Sequence, residues 1–522
     1  MHGRRLPLVG CAALAGVLAV STVLATDSGT VRLSLDACRK LALENNLDLI
    51  SARQDPRIAE QRVEASKAPF DGVLSAGATY NDSDGEEDIA DNAAATSTTG
   101  ESQSEAWNGD VSLSHLLKFG ANYSLTYNLN DVDASATSVQ ATTGFITQSV
   151  FQQQTDGFTL RWEMPLLNGL GTEVNTVEVL LAQGNLDISH EDLRLQAMRT
   201  LQAVEDAYWD VVAAREGLRI SRLALDRAED LLDLNRKKVE VGTLAPIEIT
   251  EADAGVAAQV EAVIVAETTL ENSEDLLLQV LAVPADDPLW SQAIDTIDRP
   301  SFEPVEIDLD AALAVALAER PELLSARRKL RNDELSERVA KHNLRHGLDL
   351  TASLTPDRQE DVDRAFATLQ PPGFPPSDTT TKSEDTNWEL GLRYRYSLHN
   401  RQSKTNYAIA QHTTQKSDIA LRNSEQSVRV DVRTAARNVQ SGFQRIQAAT
   451  KNVELQREKL VAEQKKFDNG MSTSFEVLTF QNDLADAELA EIRAALDYVK
   501  ALTAFELAKG TLLDARGLSL GP

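Results

Sequence analysis

The chain has 522 residues, enough for several ordinary domains, with 5% aromatic residues and a formal net charge of −29. That charge excludes nucleic acid as a partner, because phosphates need a basic face. It suits a surface or lumen that tolerates cations.

Residues 1–25 read as a signal peptide. Arg4 and Arg5 form a positive n-region, an apolar run follows from Leu6 to about Ala25, and Val23-Leu24-Ala25 offers small residues for cleavage before Thr26. The competing reading is a membrane anchor, since the run is nearly long enough to span. "LVGC", ending at Cys11, mimics a lipoprotein cleavage box, but the apolar run before it is shorter than lipidation at Cys11 needs. Cleavage would leave Cys38 alone, with no intrachain disulfide and a place on a helical apolar face as a small core residue. No later segment approaches 18 consecutive apolar residues, so any entry into a membrane is by strands.

Next come a helix (about 34–67) and a short strand, "GVLSAGATY" (Gly72–Tyr80). "NDSDGEEDIADNAAATSTTGESQSEA" follows; it is polar, without Lys or Arg, and reads as a surface loop. Residues 108–130 alternate around Lys118-Phe119-Gly120, with Tyr123, Leu125, Tyr127 and Leu129 on one face, and read as a β-hairpin. Three placements suit it: a longer wall, an extension beyond the membrane, or additional barrel strands. In "FTLRWEMPL" (Phe158–Leu166), Phe158, Leu160, Trp162, Met164 and Leu166 alternate with polar residues. A long helix (about Thr172–Val239), the turn "VEVGTLAPIEITEAD" and a shorter helix (about Ile247–Val283) complete the first half.

The order then recurs. "LDACRKLALENNLDLISAR" (Leu35–Arg53) matches "LDAALAVALAERPELLSAR" (Leu309–Arg327), Phe158–Leu166 matches "LGLRYRYSL" (Leu390–Leu398), and Gly242 matches Gly470 in "FDNGMSTSFEVL". The second half supplies the strands "GLDLTASL" (Gly347–Leu354) and Leu390–Leu398, separated by a further polar loop. Two repeats are expected, 26–300 with the extra hairpin and 301–513, with 514–522 as a tail.

Both long helices carry a seven-residue apolar period: Val204, Val211, Leu218, Leu225, Leu232 and Val239, then Val432, Val439, Ile446, Val453, Leu460 and Phe467. A sustained period of seven underwinds a helix and implies left-handed supercoiling against partners. The longer helix would span roughly 100 Å at 1.5 Å per residue. Each strand of about nine residues has the length of a tilted membrane-spanning strand, one face apolar with aromatics and the other polar, as in a barrel wall. A soluble sandwich would give the same period. The expected lipid face includes Phe158, Leu160, Trp162, Leu390, Leu392 and Tyr394. Four such strands cannot close a barrel without exposed edges, so several copies are required, and three would give twelve.

In its duplicated helix starts, "MPLLNGLG", "EDAYWDVVAAR" (Glu205–Arg215) and both Gly turns, the chain closely resembles the TolC-like outer-membrane efflux proteins, or outer membrane factors, over about Val31 to Leu512. The resemblance implies a fold that is mostly α with β. A long coiled-coil α-helical tunnel joins a transmembrane β-barrel completed by trimerisation, and the chain is internally duplicated. It implies a homotrimer in the outer membrane of a Gram-negative-type cell, with a large periplasmic part. Each subunit would give four strands to a twelve-stranded barrel. The duct would be the passive exit of a tripartite efflux pump or type I secretion system. Its partners would be outer-membrane lipid, a periplasmic adaptor (membrane fusion protein) and an inner-membrane transporter, which selects the cargo. It implies no chemistry, no cofactor and no nucleic acid.

By the same resemblance the Gly turns form the periplasmic tip that meets the adaptor: Val241, Gly242 and Thr243, then Asn469, Gly470, Met471 and Ser472. The acidic constriction falls by position on Glu476 and Thr479, with Glu248 and Glu251 at the equivalent places in the first half. Symmetry would turn each carboxylate into a cation-favouring ring. Equally, acids near a helix N-terminus favour the helix dipole. Members of the family close the tip through an arginine shortly after the second turn; here that position is Ser472, implying a weaker ionic latch or packing around Phe467.

His342 and His346 stand four apart, a spacing that suits a metal, but no third ligand lies nearby and solvated surface is the expectation. No phosphate loop, nucleophile elbow or Cys-His cluster is present, so an enzyme has no residues to rest on. The competing function is a periplasmic coiled-coil scaffold without a pore.

Overall fold

The computed structural model describes residues 30–91, 96–140, 145–300, 302–367 and 377–519. The expected signal peptide and Cys11 lie outside them. In chain order the elements are β1 (Thr30–Leu33), α1 (Leu35–Asn45), α2 (Leu47–Ala52), α3 (Gln54–Lys67), β2 (Val73–Asp91), β3 (Thr96–Leu116), β4 (Asn122–Gln140), β5 (Phe145–Pro165), α4 (Thr172–Asn175), α5 (Val177–Glu240) and α6 (Ile247–Val280). There follow β6 (Ala293–Thr296), α7 (Leu309–Glu319), α8 (Pro321–His342), β7 (Gly347–Ala367), β8 (Ser377–Arg395), α9 (Arg401–Asp468), α10 (Ser474–Lys509) and α11 (Leu512–Ala515). Among the described residues no helix is long and apolar enough to cross a membrane. Two compact units emerge, each drawing on both halves of the chain.

The first unit comprises residues 1–55, 191–324 and 424–522. The sevenfold stripes account for its packing. All six positions from Val432 to Phe467 are buried, as are Val204, Val211, Leu218 and Leu232 on α5. β1 and β6 form a parallel pair. Around it Cys38, Val204, Tyr208, Leu277, Leu281, Ile294 and Leu496 make one core, with Cys38 fully buried as expected.

Polar groups from "EDAYWDVVAAR" tie this core together. Tyr208 donates its hydroxyl to Asp298 Oδ2 at 2.8 Å, and the Leu35 backbone N–H donates to the same oxygen at 2.7 Å. Glu205, 1% exposed, accepts from Arg39 Nε (2.8 Å), Arg516 Nε (2.8 Å) and Thr503 Oγ1 (2.5 Å). Burial alone would raise the Glu205 carboxyl; the Arg516 and Thr503 hydrogen bonds and the Arg39 charge outweigh it and hold the group below its usual range.

The second unit comprises residues 56–190 and 325–423. Its sheet has six strands in the order β2-β3-β4-β5-β7-β8, every neighbouring pair antiparallel. This corrects the expectation of four strands per chain. The segment 108–130 lies in the hairpin of β3 and β4, and of the three placements open to it the ladder takes the additional strands, between β2 and β5. The strands run 19 to 21 residues instead of about nine.

Most of both polar stretches read as loops is therefore strand, from Asn81 to Asp91 and Thr96 to Ala106, and from Thr355 to Ala367 and Ser377 to Thr386. The physical reason is that ladder hydrogen bonds use only backbone groups. Beyond an apolar band the strands continue with Ser, Thr, Asp and Glu side chains, and the apolar signal vanishes while the pairing does not.

β3 and β4 join through Leu117–Ala121. Leu117 N donates to Ala121 O (2.7 Å), and the Gly171 amide donates to Phe119 O (3.1 Å). Gly120 has φ +103°, and a Cβ there would meet Gly169 O at 2.4 Å, so only glycine fits. Elsewhere in the unit α5 and α8 meet at Gly184, where a Cβ would meet the Asn332 amide, and Arg338 pairs with Glu173 at 2.9 Å.

Candidate functional site: the helix turns and the face of the sheet

In the first unit both long helices end in the same way. After α5, Gly242 (φ +74°) donates its amide to Val239 O at 3.0 Å, and Thr243 N reaches Lys238 O at 2.9 Å. After α9, Gly470 (φ +73°) donates to Phe467 O at 3.1 Å, and Met471 N reaches Lys466 O at 2.9 Å. Each is a Schellman cap, which satisfies the last carbonyls and needs a left-handed residue at the glycine. Val241 and Met471 are 73% and 70% exposed at the apexes, and Gly242, Thr243, Asn469 and Gly470 are exposed beside them.

The two turns are braced to each other. Asn235, fully buried, donates from Nδ2 to Ser474 Oγ (2.6 Å) and to Glu248 O (3.1 Å). The Glu248 carboxylate accepts the Ser474 amide at 2.9 Å, at the first turn of α10. Lys238 Nζ lies 4.0 Å above the buried Phe467 ring and 3.3 Å from Asp468. Thr473 and Glu476 form a capping box on α10. In one copy of the chain, Glu248 and Glu476 thus serve helix starts. Glu251 stands half-buried one turn along α6, and the exposed Thr479 bonds to its own helix at Phe475 O (2.8 Å).

Ser472 sits between two carboxylates, 2.5 Å from Glu463 and 2.7 Å from Glu476. Lys466 supplies the nearby cation, 2.9 Å from Glu463. The Ser472 hydrogen bond, then Lys466, holds the Glu463 carboxyl below its usual range, and Glu463 in turn raises the Lys466 ammonium. Sequence reasoning passed over Asn235, Lys238, Glu463 and Lys466. The available signal was Asn235, a polar residue three positions after the apolar Leu232 in a stripe that buries.

In the second unit the six strands place one apolar face together. A single row of paired residues crosses it: Leu74, Leu113, Leu125, Leu160, Leu354, Trp388. The expected lipid-face residues Phe158, Leu160 and Trp162 on β5, and Leu390, Leu392 and Tyr394 on β8, all lie on this face and are 43% to 68% exposed. β7 separates the two groups, with Ala352 between Trp162 and Leu390. Val111, Leu113, Leu129 and Trp388 join them. Aromatics border the band: Tyr80 against Trp107 (4.8 Å between centroids) and Tyr127 against Phe158 (4.9 Å) towards one end, with Tyr123 paired to Trp162, and Tyr394, towards the other.

The opposite face is polar. Ser75, Ser112, Thr126 and Thr159 share one row, Asp349 pairs with Arg395 at 2.8 Å, and Arg393 lies 3.8 Å from Glu163. One face apolar and bordered by aromatics, the other polar, is the composition of a wall between lipid and water. His346 packs against the Tyr396 ring (4.7 Å), and no metal-binding group of His, Cys, Asp and Glu occurs among the described residues.

Comparison with known proteins agrees with this geometry. The solved channel CmeC of Campylobacter jejuni superposes with a TM-score of 0.62 at 15% identity, over 92% of this chain and 86% of that one. VceC of Vibrio cholerae superposes with a TM-score of 0.62 at 13% identity, over 91% and 96%. At such identities they establish the fold. The pyoverdine export outer membrane protein OpmQ of Pseudomonas aeruginosa is 29% identical over 172 residues, which are 33% of this chain and about a third of that protein (35%). The outer membrane efflux protein family model matches residues 122–283 and 312–511. These spans cover well over half of the sequence, and the chain belongs to the outer membrane efflux protein family.

Proposed function

We propose that this chain is the outer-membrane exit duct of a tripartite efflux pump or type I secretion system. The observation that carries the reading is the sheet: one face apolar and exposed with aromatic borders, the other polar, and both edges unpaired among the described residues. Such a sheet reaches a stable state when copies close it into a ring in lipid. The sevenfold stripes of α5 and α9 support a helical tunnel.

The duct is a homotrimer of two repeats, 26–300 and 301–513, with a short tail after them. It docks to a periplasmic adaptor and an inner-membrane transporter, and the transporter selects the cargo. It is passive and performs no reaction. Val241, Gly242 and Thr243, with Asn469, Gly470, Met471 and Ser472, form the docking turns. Glu248, Glu251 and Glu476, with Thr479, line the periplasmic constriction, where threefold repetition makes rings of carboxylates that favour cations. Glu248 and Glu476 also accept helix-start amides beside the turns, Ser474 N and Thr473 N.

The test is fractionation and conductance. A heat-sensitive trimer in the outer-membrane fraction, with cation-selective channels in planar bilayers and crosslinks to an adaptor at Val241 or Met471, supports the duct. A water-soluble chain without conductance would instead establish a periplasmic scaffold.

A further inference from the structure

The hairpin β3–β4 enters the ladder as wall. It is fully paired on both sides, to β2 over nineteen positions and to β5 over nineteen. Its closing turn, Leu117–Ala121, supplies no helix. Among the described residues the large sheet therefore has six strands instead of four.

The two free edges suit one another. β2 and β8 are each 19 residues long and contain no proline, so nothing in either sequence blocks pairing. With six alternating strands, β8 runs antiparallel to β2, and joining β8 of one copy to β2 of the next preserves the alternation through every join. The apolar runs at the edges are also matched: Leu74 to Tyr80 on β2 and Trp388 to Tyr394 on β8.

The tilt agrees with closure. Leu74 and Trp388 lie on one row, yet the apolar run extends from Leu74 towards one end of the sheet and from Trp388 towards the other. The band thus slips by about six residues over five strand steps, a tilt of roughly 40° at 3.3 Å per residue and 4.8 Å per strand. Closed barrels need about this tilt.

We propose that β2 and β8 are the interface between copies of this chain, and that three copies close an eighteen-stranded barrel. The proposal rests on the trimeric duct put forward above. At a 40° tilt, eighteen strands make a barrel about 35 Å across between backbones, against about 24 Å for twelve. The wall is half as wide again in circumference, with no added helices.

Two measurements on the full chain test it. The first is native mass of the lipid-nanodisc complex, combined with disulfide scanning: Ser83→Cys on β2 against single cysteines at 384–387 on β8, the positions that the matched apolar runs place opposite it. Covalent dimers and trimers, ending at three, are expected for one or two of those pairs. The second is labelling of Val111→Cys, Leu125→Cys, Ser112→Cys and Thr126→Cys on the hairpin, with Cys38 fully buried and silent. Val111→Cys and Leu125→Cys should react only with a lipid-soluble maleimide, and Ser112→Cys and Thr126→Cys at least tenfold faster with a water-soluble one.

A complex of two copies, which closes at twelve strands, would overturn the proposal and leave a duct in place. So would a trimer in which all four hairpin sites react equally with the water-soluble reagent. A monomer that never enters lipid would overturn the duct itself and the wide barrel with it.

Discussion

Glu205→Ala tests the polar centre of the first unit. The substitution removes a carboxylate that accepts from Arg39 Nε, Arg516 Nε and Nη2, and Thr503. It leaves two guanidinium groups whose side chains are 12% and 27% exposed without their shared anion. Breaking one side of a buried pair costs about 3–5 kcal/mol, because the remaining charge stays desolvated. Glu205→Gln keeps the shape and exchanges charged hydrogen bonds for neutral ones, so about half that loss is expected.

The assay is hydrogen exchange on the full chain in detergent, read in peptides 30–46 and 503–516. For Glu205→Ala, protection should fall by roughly two to three decades or more, at about 1.4 kcal/mol per decade. Adding Arg516→Ala should restore part of it, since one orphaned charge is gone. The sign with pH follows. The folded carboxyl lies below its ordinary value of 4.5, so the unaltered chain keeps this stability above pH 4.5 and loses it as pH falls through the folded value. Glu205→Gln should be flat there. A change under tenfold in both peptides, or strictly additive double variants, would refute the reasoning.

Asp206 behaves oppositely. Burial first, opposed by Lys500 and reinforced by Asp210, pushes its carboxyl up to about 6, and its Oδ1 has no hydrogen-bond partner. Asp206→Asn should therefore stabilise the first unit by about 1–2 kcal/mol after screening at this partly exposed group, a gain that grows from pH 3.8 to about 6 and is constant above; thermal melts at pH 4 and 8 check it. Gly242→Ala and Gly470→Ala meet no neighbour within 4 Å, so each should cost only the left-handed backbone term, about 1–2 kcal/mol, seen as faster exchange in the adjoining turn. Gly120→Ala should lose more, since its Cβ would meet the Gly169 carbonyl, and the heat-stability of the complex should fall below that of either turn variant. Ser472→Arg sets a cation beside Glu463 and Glu476 and should reduce cation selectivity in planar bilayers; unchanged conductance and selectivity would remove Ser472 from the pore.

The sequence by itself determined the duplication, the long helices, both glycine turns and the apolar-face positions of β5 and β8. Each rests on a local rule: a seven-residue period, a left-handed cap, or strict alternation, and each keeps its signal within one segment. Only the tertiary structure decided the length and number of the strands. Asn81–Asp91 and Thr96–Ala106 are rich in polar residues, so nothing in their composition separates a ladder from a loop; their pairing is a backbone property between distant segments. The same holds for Asn235, Glu463 and Lys466, which acquire their roles when two turns 228 residues apart, at Gly242 and Gly470, come to share one set of hydrogen bonds.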